Sequence, residues 1–289
     1  MNPSQPDATA AQTAPPADAF RFGRNWQRYV HSYLDADRER IAMESLQDLV
    51  GELDGKTFLD IGCGSGLFSL CAYRAGAAEV ISLDVDPEAV SSTNELRSRA
   101  GAPSSWRVLH RSILDQSLPE DVAPADVVYA WGVLHHTGDM YTAIRSAASL
   151  VKPGGVFAIA IYNRVTRGLL TSEQWRRIKR TYNRAPRTVQ VIMEFAYAGL
   201  WSLVSVRNKQ NPLRAAREYR RSRGMALWTD LVDWLGGYPY EFATASEITE
   251  FCEASCGVRT VRVMPVPSDG TGCHQFVFKR PPAGADGGE

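Results

Sequence analysis

The nine residues Phe58-Leu59-Asp60-Ile61-Gly62-Cys63-Gly64-Ser65-Gly66 constrain this chain more than any other stretch. An apolar run ends in an acid, three glycines alternate with other residues, and a helical pattern begins at once in SGLFSLCAYRAG (65–76). Glycine at these positions permits a tight turn and lets a ligand approach main-chain N–H groups with no Cβ in the way. Asp60 stands just before the turn, where its carboxylate can hold a cationic amine. The next apolar run ends at Asp84, 18 residues after Gly66, where an acid can accept both ribose hydroxyls of a nucleoside. Nicotinamide and flavin sites use similar turns, but with GxGxxG spacing, and an acid inside the motif repels a pyrophosphate. The expected ligand is therefore a zwitterionic amino acid joined to a nucleoside, without phosphate.

Around this turn, short apolar runs alternate with helical stretches, the pattern of βαβ units on a parallel sheet. Strands are expected at KTFLDIG (56–62), EVISLDV (79–85), WRVLH (106–110), DVVYAWGVL (126–134) and VFAIAIYN (156–163), with KPGG (152–155) as a turn before the fifth. Helices are expected at 65–76, at 86–101 with Asp86 as N-cap and Pro87 in its first turn, and at 139–152. Residues 164–240 break the rhythm. They are largely helical and basic, pausing near 183–186 and 208–212, and 77 residues are too many for a loop. A helix at 245–256 and two antiparallel strands at 258–266 and 274–280 then complete a doubly wound, seven-stranded α/β sheet. Ahead of the core, a helix at 35–51 shows an apolar face of Ile41, Leu46 and Leu49. The plan is a disordered tail (1–18), a helical lid (19–55), a ligand-binding core (56–163), a basic helical insertion (164–240), the end of the sheet (241–280) and a second disordered tail (281–289).

FLDIGCGSG, followed in order by ISLDVDP (81–87), DVVYAWGVLHHTGDM (126–140) and LVKPGGVFAIAIYN (150–163), resembles the class I S-adenosylmethionine-dependent methyltransferase family. The similarity is strong over 56–163 and loose over the last two strands. It implies a Rossmann-like sheet with S-adenosyl-L-methionine as cofactor. By this resemblance Asp60 and the turn of Gly62, Cys63, Gly64 and Gly66 hold the methionine end. Asp84 takes the ribose, Val85 packs on the adenine with Ser112 and Ile113 at its edge, and Trp131 lines the site. The family often has an acid near Ser112 for the adenine amino group; here RSILD (111–115) offers Asp115 three residues late. Some quinone-ring relatives carry Glu-His after the fourth strand and use it for a metal. This chain has His135 where that Glu would sit, and no metal site is expected.

His135 and His136 fall at the carboxyl edge of the sheet, beside the ligand crevice. Adjacent residues on an extended strand point oppositely, so one of the two should face the methyl donor. Such a histidine could take a proton from a hydroxyl or amine acceptor; the alternative is packing or helix capping. Tyr162 and Asn163 end the fifth strand and should line the acceptor side. Phe22, Arg24, Asn25 and Trp26 precede the first helix, either as an aromatic lid that excludes water, with Trp26 on the substrate, or as a strap closing the domain edge.

Five cysteines (Cys63, Cys71, Cys252, Cys256, Cys273) form no CxxC pair, and the N-terminus lacks a signal-peptide pattern, so a cytoplasmic home is expected. The net charge of zero hides an asymmetry: residues 164–223 hold fifteen basic and three acidic side chains, +12, against −12 elsewhere. Arginine outnumbers lysine 27 to 5, which the coding bias of a GC-rich genome explains as well as function does. Residues 188–206 are largely apolar and long enough to span a bilayer, but Gln190 and Glu194 interrupt them. A buried or groove-lining helix is expected rather than a bilayer contact, which would be peripheral, with the basic flank on anionic lipid. The expected activity is methyl transfer to oxygen or nitrogen of a small or medium metabolite by in-line displacement. The arginines suggest an anionic acceptor. The alternatives are a nucleic-acid, protein, or membrane lipid or quinone acceptor, with the +12 block as footprint, and a donor-binding protein without turnover. Nucleic acid is disfavoured because the Asn/Asp-Pro-Pro-aromatic signature after the fourth strand is absent.

Overall fold

The apolar runs become seven strands of one sheet: β1 (Thr57–Ile61), β2 (Glu79–Asp84), β3 (Trp106–His110), β4 (Ala125–Trp131), β5 (Val151–Tyr162), β6 (Arg259–Met264) and β7 (Cys273–Lys279). The computed structural model describes residues 20, 22–23, 34–207 and 227–284. The first tail, residues 285–289 of the second, Trp26 and the expected pause at 208–212 lie outside them. Strand order is β3-β2-β1-β4-β5-β7-β6. β1 to β5 pair in parallel, and β7 runs antiparallel to both β5 and β6. Strands buried on both faces need side chains apolar throughout, and Phe58, Leu59, Val127, Val128, Phe157 and Ile159 are all fully buried. Register brings Asp60 opposite Ser82 and Tyr129, so the ends of β1, β2 and β4 share one edge.

Helices cover both faces: α1 (Ala36–Val50), α2 (Leu67–Arg74) and α3 (Pro87–Arg99), then a single turn α4 (Leu118–Asp121) and α5 (Met140–Ser149). Three expectations need correction. The buried stripe of α1 is Ala42, Leu46 and Val50, at i, i+4 and i+8; Leu46 is 1% exposed and Ile41 56%. One residue is about 100° on a helix, enough to turn Ile41 to solvent. Second, KPGG belongs to β5 as an irregularity, with Gly154 at φ +79° donating to the Arg280 carbonyl. Third, β4 ends at Trp131, because Gly132 turns away at φ +75° and residues Leu134–His136 form a 3₁₀ turn.

After β5 come α6 (Ser172–Arg184), α7 (Arg187–Arg207) and α8 (Leu227–Gly236). Thr171 and Gln174 form a capping box at the start of α6, and Pro186 separates it from α7. These helices have their own core of Trp175, Tyr182, Leu235, Tyr240 and Phe242, to which α7 adds Met193 and Tyr197. Glu194 is buried on α7, accepting from the Tyr182 hydroxyl at 2.7 Å and from Arg187 at 2.6 Å. The opposite side of α7 is not covered as expected: Ile192, Phe195, Leu203 and Val206 are exposed. Among the described residues no helix is long and apolar enough to cross a membrane. The chain rejoins the core where Ala243 bridges Asn163, and α9 (Ala245–Ser255) starts from a capping box of Thr244 and Glu247.

The placement of α1 is testable by urea denaturation: Leu46→Ala should cost about 3 kcal/mol of stability and Ile41→Ala less than about 0.5. Equal costs would show that the helix face is assigned wrongly.

Candidate active site

The glycine turn is shaped by contacts that leave no room for side chains. A Cβ on Gly62 would lie 2.3 Å from a methyl of Val133, and one on Gly66 2.9 Å from the Cα of Thr93; both glycines have positive φ. The N–H groups of the turn's first three residues are already engaged. Gly62 and Cys63 both donate to the Leu83 carbonyl, at 2.8 and 3.1 Å, and Gly64 donates to Asp84 Oδ2 at 3.0 Å. A pyrophosphate would need those donors free; a nucleoside does not. Cys63 sits beneath the turn, its Sγ 3.2 Å from Thr93 Oγ1, and burial pushes its thiol well above the usual range.

Asp60 is buried at the end of β1, and a chain of side chains grips it from behind. The Trp106 indole donates to Ser82 Oγ (2.8 Å), Ser82 to Ser69 Oγ (2.6 Å), and Ser69 to Asp60 Oδ2 (2.6 Å). Burial raises the Asp60 carboxyl to about 7, opposed by the Ser69 bond and assisted by the charge of Asp84. Burial raises Asp84 too, against its bonds from the Asp86 and Gly64 N–H groups. Among the described residues neither acid is paired with a Lys or Arg. Two neighbouring buried carboxylates without a counter-charge favour a cationic ligand. Val85 and Ser112 lie partly open beside Asp84, and Ile113 is buried below them in the core. Asp115 is committed elsewhere: it accepts from the Ser117 N–H and hydroxyl and pairs with Arg111 at 2.9 Å.

The described part of the N-terminal segment touches both α3 and the insertion. Gly23 donates to Asp86 at 2.9 Å and is pressed onto α3, where a Cβ would meet that of Glu88 at 2.5 Å. Phe20 donates to the Tyr238 carbonyl, and the Phe22 ring lies 5.2 Å from that of His136. These contacts are those of a strap between the two parts.

On the acceptor side, the 3₁₀ turn replaces the strand alternation expected for the histidines and gives them different surroundings. His136 is partly open, and its Nδ1 lies 2.6 Å from the Pro239 carbonyl. A carbonyl only accepts, so Nδ1 carries the proton and Nε2 the lone pair. Burial lowers its pKa to about 4, so the ring is neutral at pH 7. His135 is completely buried and neither of its ring nitrogens is hydrogen-bonded. Burial above all, then His136, holds it well below the ordinary value, opposed by the Ala160 backbone. The turn is clamped from the far end of the insertion. The Glu241 N–H donates to the His135 carbonyl, and its carboxylate takes the Gly138 and Met140 N–H groups at 3.0 and 3.1 Å. No periodicity in the sequence marks Pro239 and Glu241 as partners of residues about a hundred positions earlier.

Tyr162 faces this group, its ring 4.0 Å from His135 and 5.4 Å from His136. Trp131 stacks on Tyr129 at 5.4 Å as an apolar wall at the end of β4. Asn163, expected on the acceptor side, is structural instead. Its Nδ2 donates to the Pro267 and Gly270 carbonyls, and its Oδ1 bonds His274 Nε2 at 2.8 Å, which pins the β6–β7 connection. It is buried with its polar atoms all engaged.

A sheet of this order, with paired acids round a glycine turn that offers no anion site, defines a nucleoside-binding α/β protein. A family profile described as "Methyltransferase domain" matches residues 27–204, and the chain belongs to that family, whose methyl donor is S-adenosylmethionine. The chain is 39% identical over 114 residues to a ribosomal protein L11 methyltransferase of Photobacterium profundum, covering 39% of this chain and 35% of that protein. It is 30% identical over 131 residues to a ubiquinone biosynthesis O-methyltransferase of Bordetella avium, covering 45% and 52%. The match therefore spans about a third to a half of these relatives. In fold it is similar to an O-methyltransferase family protein from Burkholderia thailandensis (TM-score 0.51, 14% identity, 91% of this chain and 59% of that one). It is also similar to magnesium protoporphyrin IX methyltransferase from Synechocystis PCC 6803 (TM-score 0.50, 13% identity, 97% and 100%).

The two acids fit that donor, being suited to its ammonium and ribose, and among the described residues no Lys or Arg is paired with them. A protonated Asp60 cannot hold an ammonium, so binding must lower its pKa from about 7. Affinity for S-adenosylhomocysteine should therefore fall as pH drops below 7, by up to about tenfold per unit. It should fall again at alkaline pH, where the ligand's α-ammonium, held above the peptide value by its own carboxylate, loses its proton. Calorimetry checks both limbs, and Asp60→Asn should abolish the acid limb; a pH-independent affinity would count against the placement of the amine.

Proposed function

We propose that the chain transfers the methyl group of S-adenosylmethionine to an oxygen or nitrogen of a small or medium metabolite, with His136 as general base. The observation that carries the donor half is the Asp60–Asp84 pair round a turn whose first three N–H groups are spent. Asp60 orients the amino-acid end through its ammonium and Asp84 the ribose, while Val85, Ser112 and Ile113 border the adenine. The donor supplies an activated methyl on a sulfonium; everything else falls to the chain. Its rings exclude water, and its geometry must hold the nucleophile about 3 Å from the methyl carbon and in line with the breaking C–S bond. Charge disappears from sulfur during transfer, so walls such as Trp131 and Phe22 suit the reaction. The proton released by the acceptor goes to His136 Nε2, which the Pro239 carbonyl keeps in the accepting tautomer. His135, enclosed and unbonded, is not the base. Trp26 remains in this reading as a further part of the lid.

A macromolecular acceptor is the second reading, favoured by the +12 balance of residues 164–223. In the described part of that segment Arg164, Arg176 and Arg187 are already paired with Glu247, Glu173 and Glu194, which weakens it. Binding to RNA that falls steeply with salt would support it.

Incubation of cell extract with isotopically labelled donor should yield a labelled metabolite. Asp60→Ala should remove S-adenosylhomocysteine binding by calorimetry. His136→Ala should leave that binding within about twofold and lower turnover by about 10²–10⁴-fold. Turnover of His136→Ala equal to the native rate would eliminate this base.

A further inference from the structure

Helix α7 presents two unlike sides. Glu194 and Ser205 are buried on one, where Met193 and Tyr197 pack on the aromatic core of the insertion. On the other, Ile192, Phe195, Leu203 and Val206 are 67%, 64%, 66% and 58% exposed, and Val189 extends their line toward the start of the helix. The exposed Ala196 and Gly199 fill the same stripe at helical spacing. A Cβ on Gly199 would meet nothing within 4 Å, so the middle of the stripe is open as well. Trp228 of α8, also exposed, widens the face, its ring 5.1 Å from that of Phe195. Single apolar side chains on a surface are ordinary, whereas a continuous line of them marks a contact surface.

The pattern of charge decides what this face meets. Between residues 188 and 206 the sole carboxylate is Glu194, which is buried and paired with Arg187. The sequence on both sides is basic, with Arg180, Arg184 and Arg187 before the stripe and Arg207 and Lys209 after it. Arg177, Arg180 and Arg184 are exposed along one side of α6. A second copy of the chain would set basic end against basic end whichever way the two helices ran, and like charges so placed oppose association. An anionic surface complements both ends at once. Because the inner side of α7 is committed to the insertion core, and no helix among the described residues is long and apolar enough to cross a membrane, contact with a bilayer would be along its surface. Tryptophan suits that depth, with an apolar ring and a polar N–H.

We propose that the exposed side of α7, together with Trp228, docks the protein on an anionic membrane surface. The helix lies parallel to the bilayer, with Ile192, Phe195, Leu203 and Val206 below the headgroups and the basic residues about its ends on lipid phosphates. Apolar contact of this extent is reversible by itself, as a single acyl chain is, and lasting attachment takes a second, electrostatic signal. The insertion supplies that signal, since basic side chains near an anionic leaflet each add to the attraction. None of these residues belongs to the donor or acceptor site, so the inference stands apart from the methyl-transfer reading.

Co-sedimentation of the whole chain with vesicles tests this, using phosphatidylcholine alone and phosphatidylcholine with about 30% phosphatidylserine. At low salt the mixed vesicles should bind the chain at least about tenfold more tightly than the neutral ones, and added salt should shrink the difference. Ile192→Ser combined with Phe195→Ser should weaken binding to the mixed vesicles by at least about tenfold. Both side chains are exposed, so thermal unfolding of that variant should match the native chain. Gly199→Leu places an apolar side chain in open space on the stripe and should strengthen binding several-fold. No binding to either vesicle, equal binding to both, or binding that survives the double substitution would overturn the proposal. So would a dimer in analytical ultracentrifugation that Gly199→Leu weakens and the double substitution abolishes, because the face would then belong to a second copy of the chain.

Discussion

A carboxylate taken out of water must either lose its charge or find a cation, and Asp60 is held between those outcomes. The Ser69–Ser82–Trp106 relay fixes its position from within the sheet but supplies only neutral hydrogen bonds, which do not repay the desolvation of a charge. A nearby acid on β2 makes ionisation harder still. In the proposed function the ammonium of the donor supplies the other half of an ion pair. The rest of the core holds the carboxylate in place: β1 and β2 in parallel register, glycines that admit Val133 and Thr93, and N–H groups turned inward to Leu83.

The acceptor side obeys a different logic. The Leu134–His136 turn follows a glycine at positive φ, belongs to no strand and sinks Leu134 into the main core. It is held by the segment that closes the insertion, through the Pro239 carbonyl and the main chain and carboxylate of Glu241. The three helices before that segment keep it in place with an aromatic core of their own. This segment thus holds the turn and sets the tautomer of the histidine within it.

How much of this was legible follows from how local each signal is. The strands of the core, the glycine turn and its two acids are written in short runs, so WRVLH and β3 coincide and Asp60 and Asp84 fall where expected. The fate of Asn163 was not legible, because its partners Pro267, Gly270 and His274 approach from more than a hundred residues away. The same distance hid Pro239 and Glu241. The α1 face was misjudged for a smaller reason: Ile41 and Ala42 are neighbours, and the bulkier residue was given the core although the alanine packs there. Strand alternation failed at His135–His136 because Gly132 had already ended the strand. Lys179 looked like one charge in a basic helix, and only the rings of Trp234 and Tyr240 folding round it reveal otherwise.

The strap at residues 20–23 touches both halves of the molecule, bonding Asp86 at the head of α3 and Tyr238 at the exit of the insertion. The two attachments lie on parts of the chain about 150 residues apart in sequence, so a displacement of either the head of α3 or the exit of the insertion strains the strap's bond to the other.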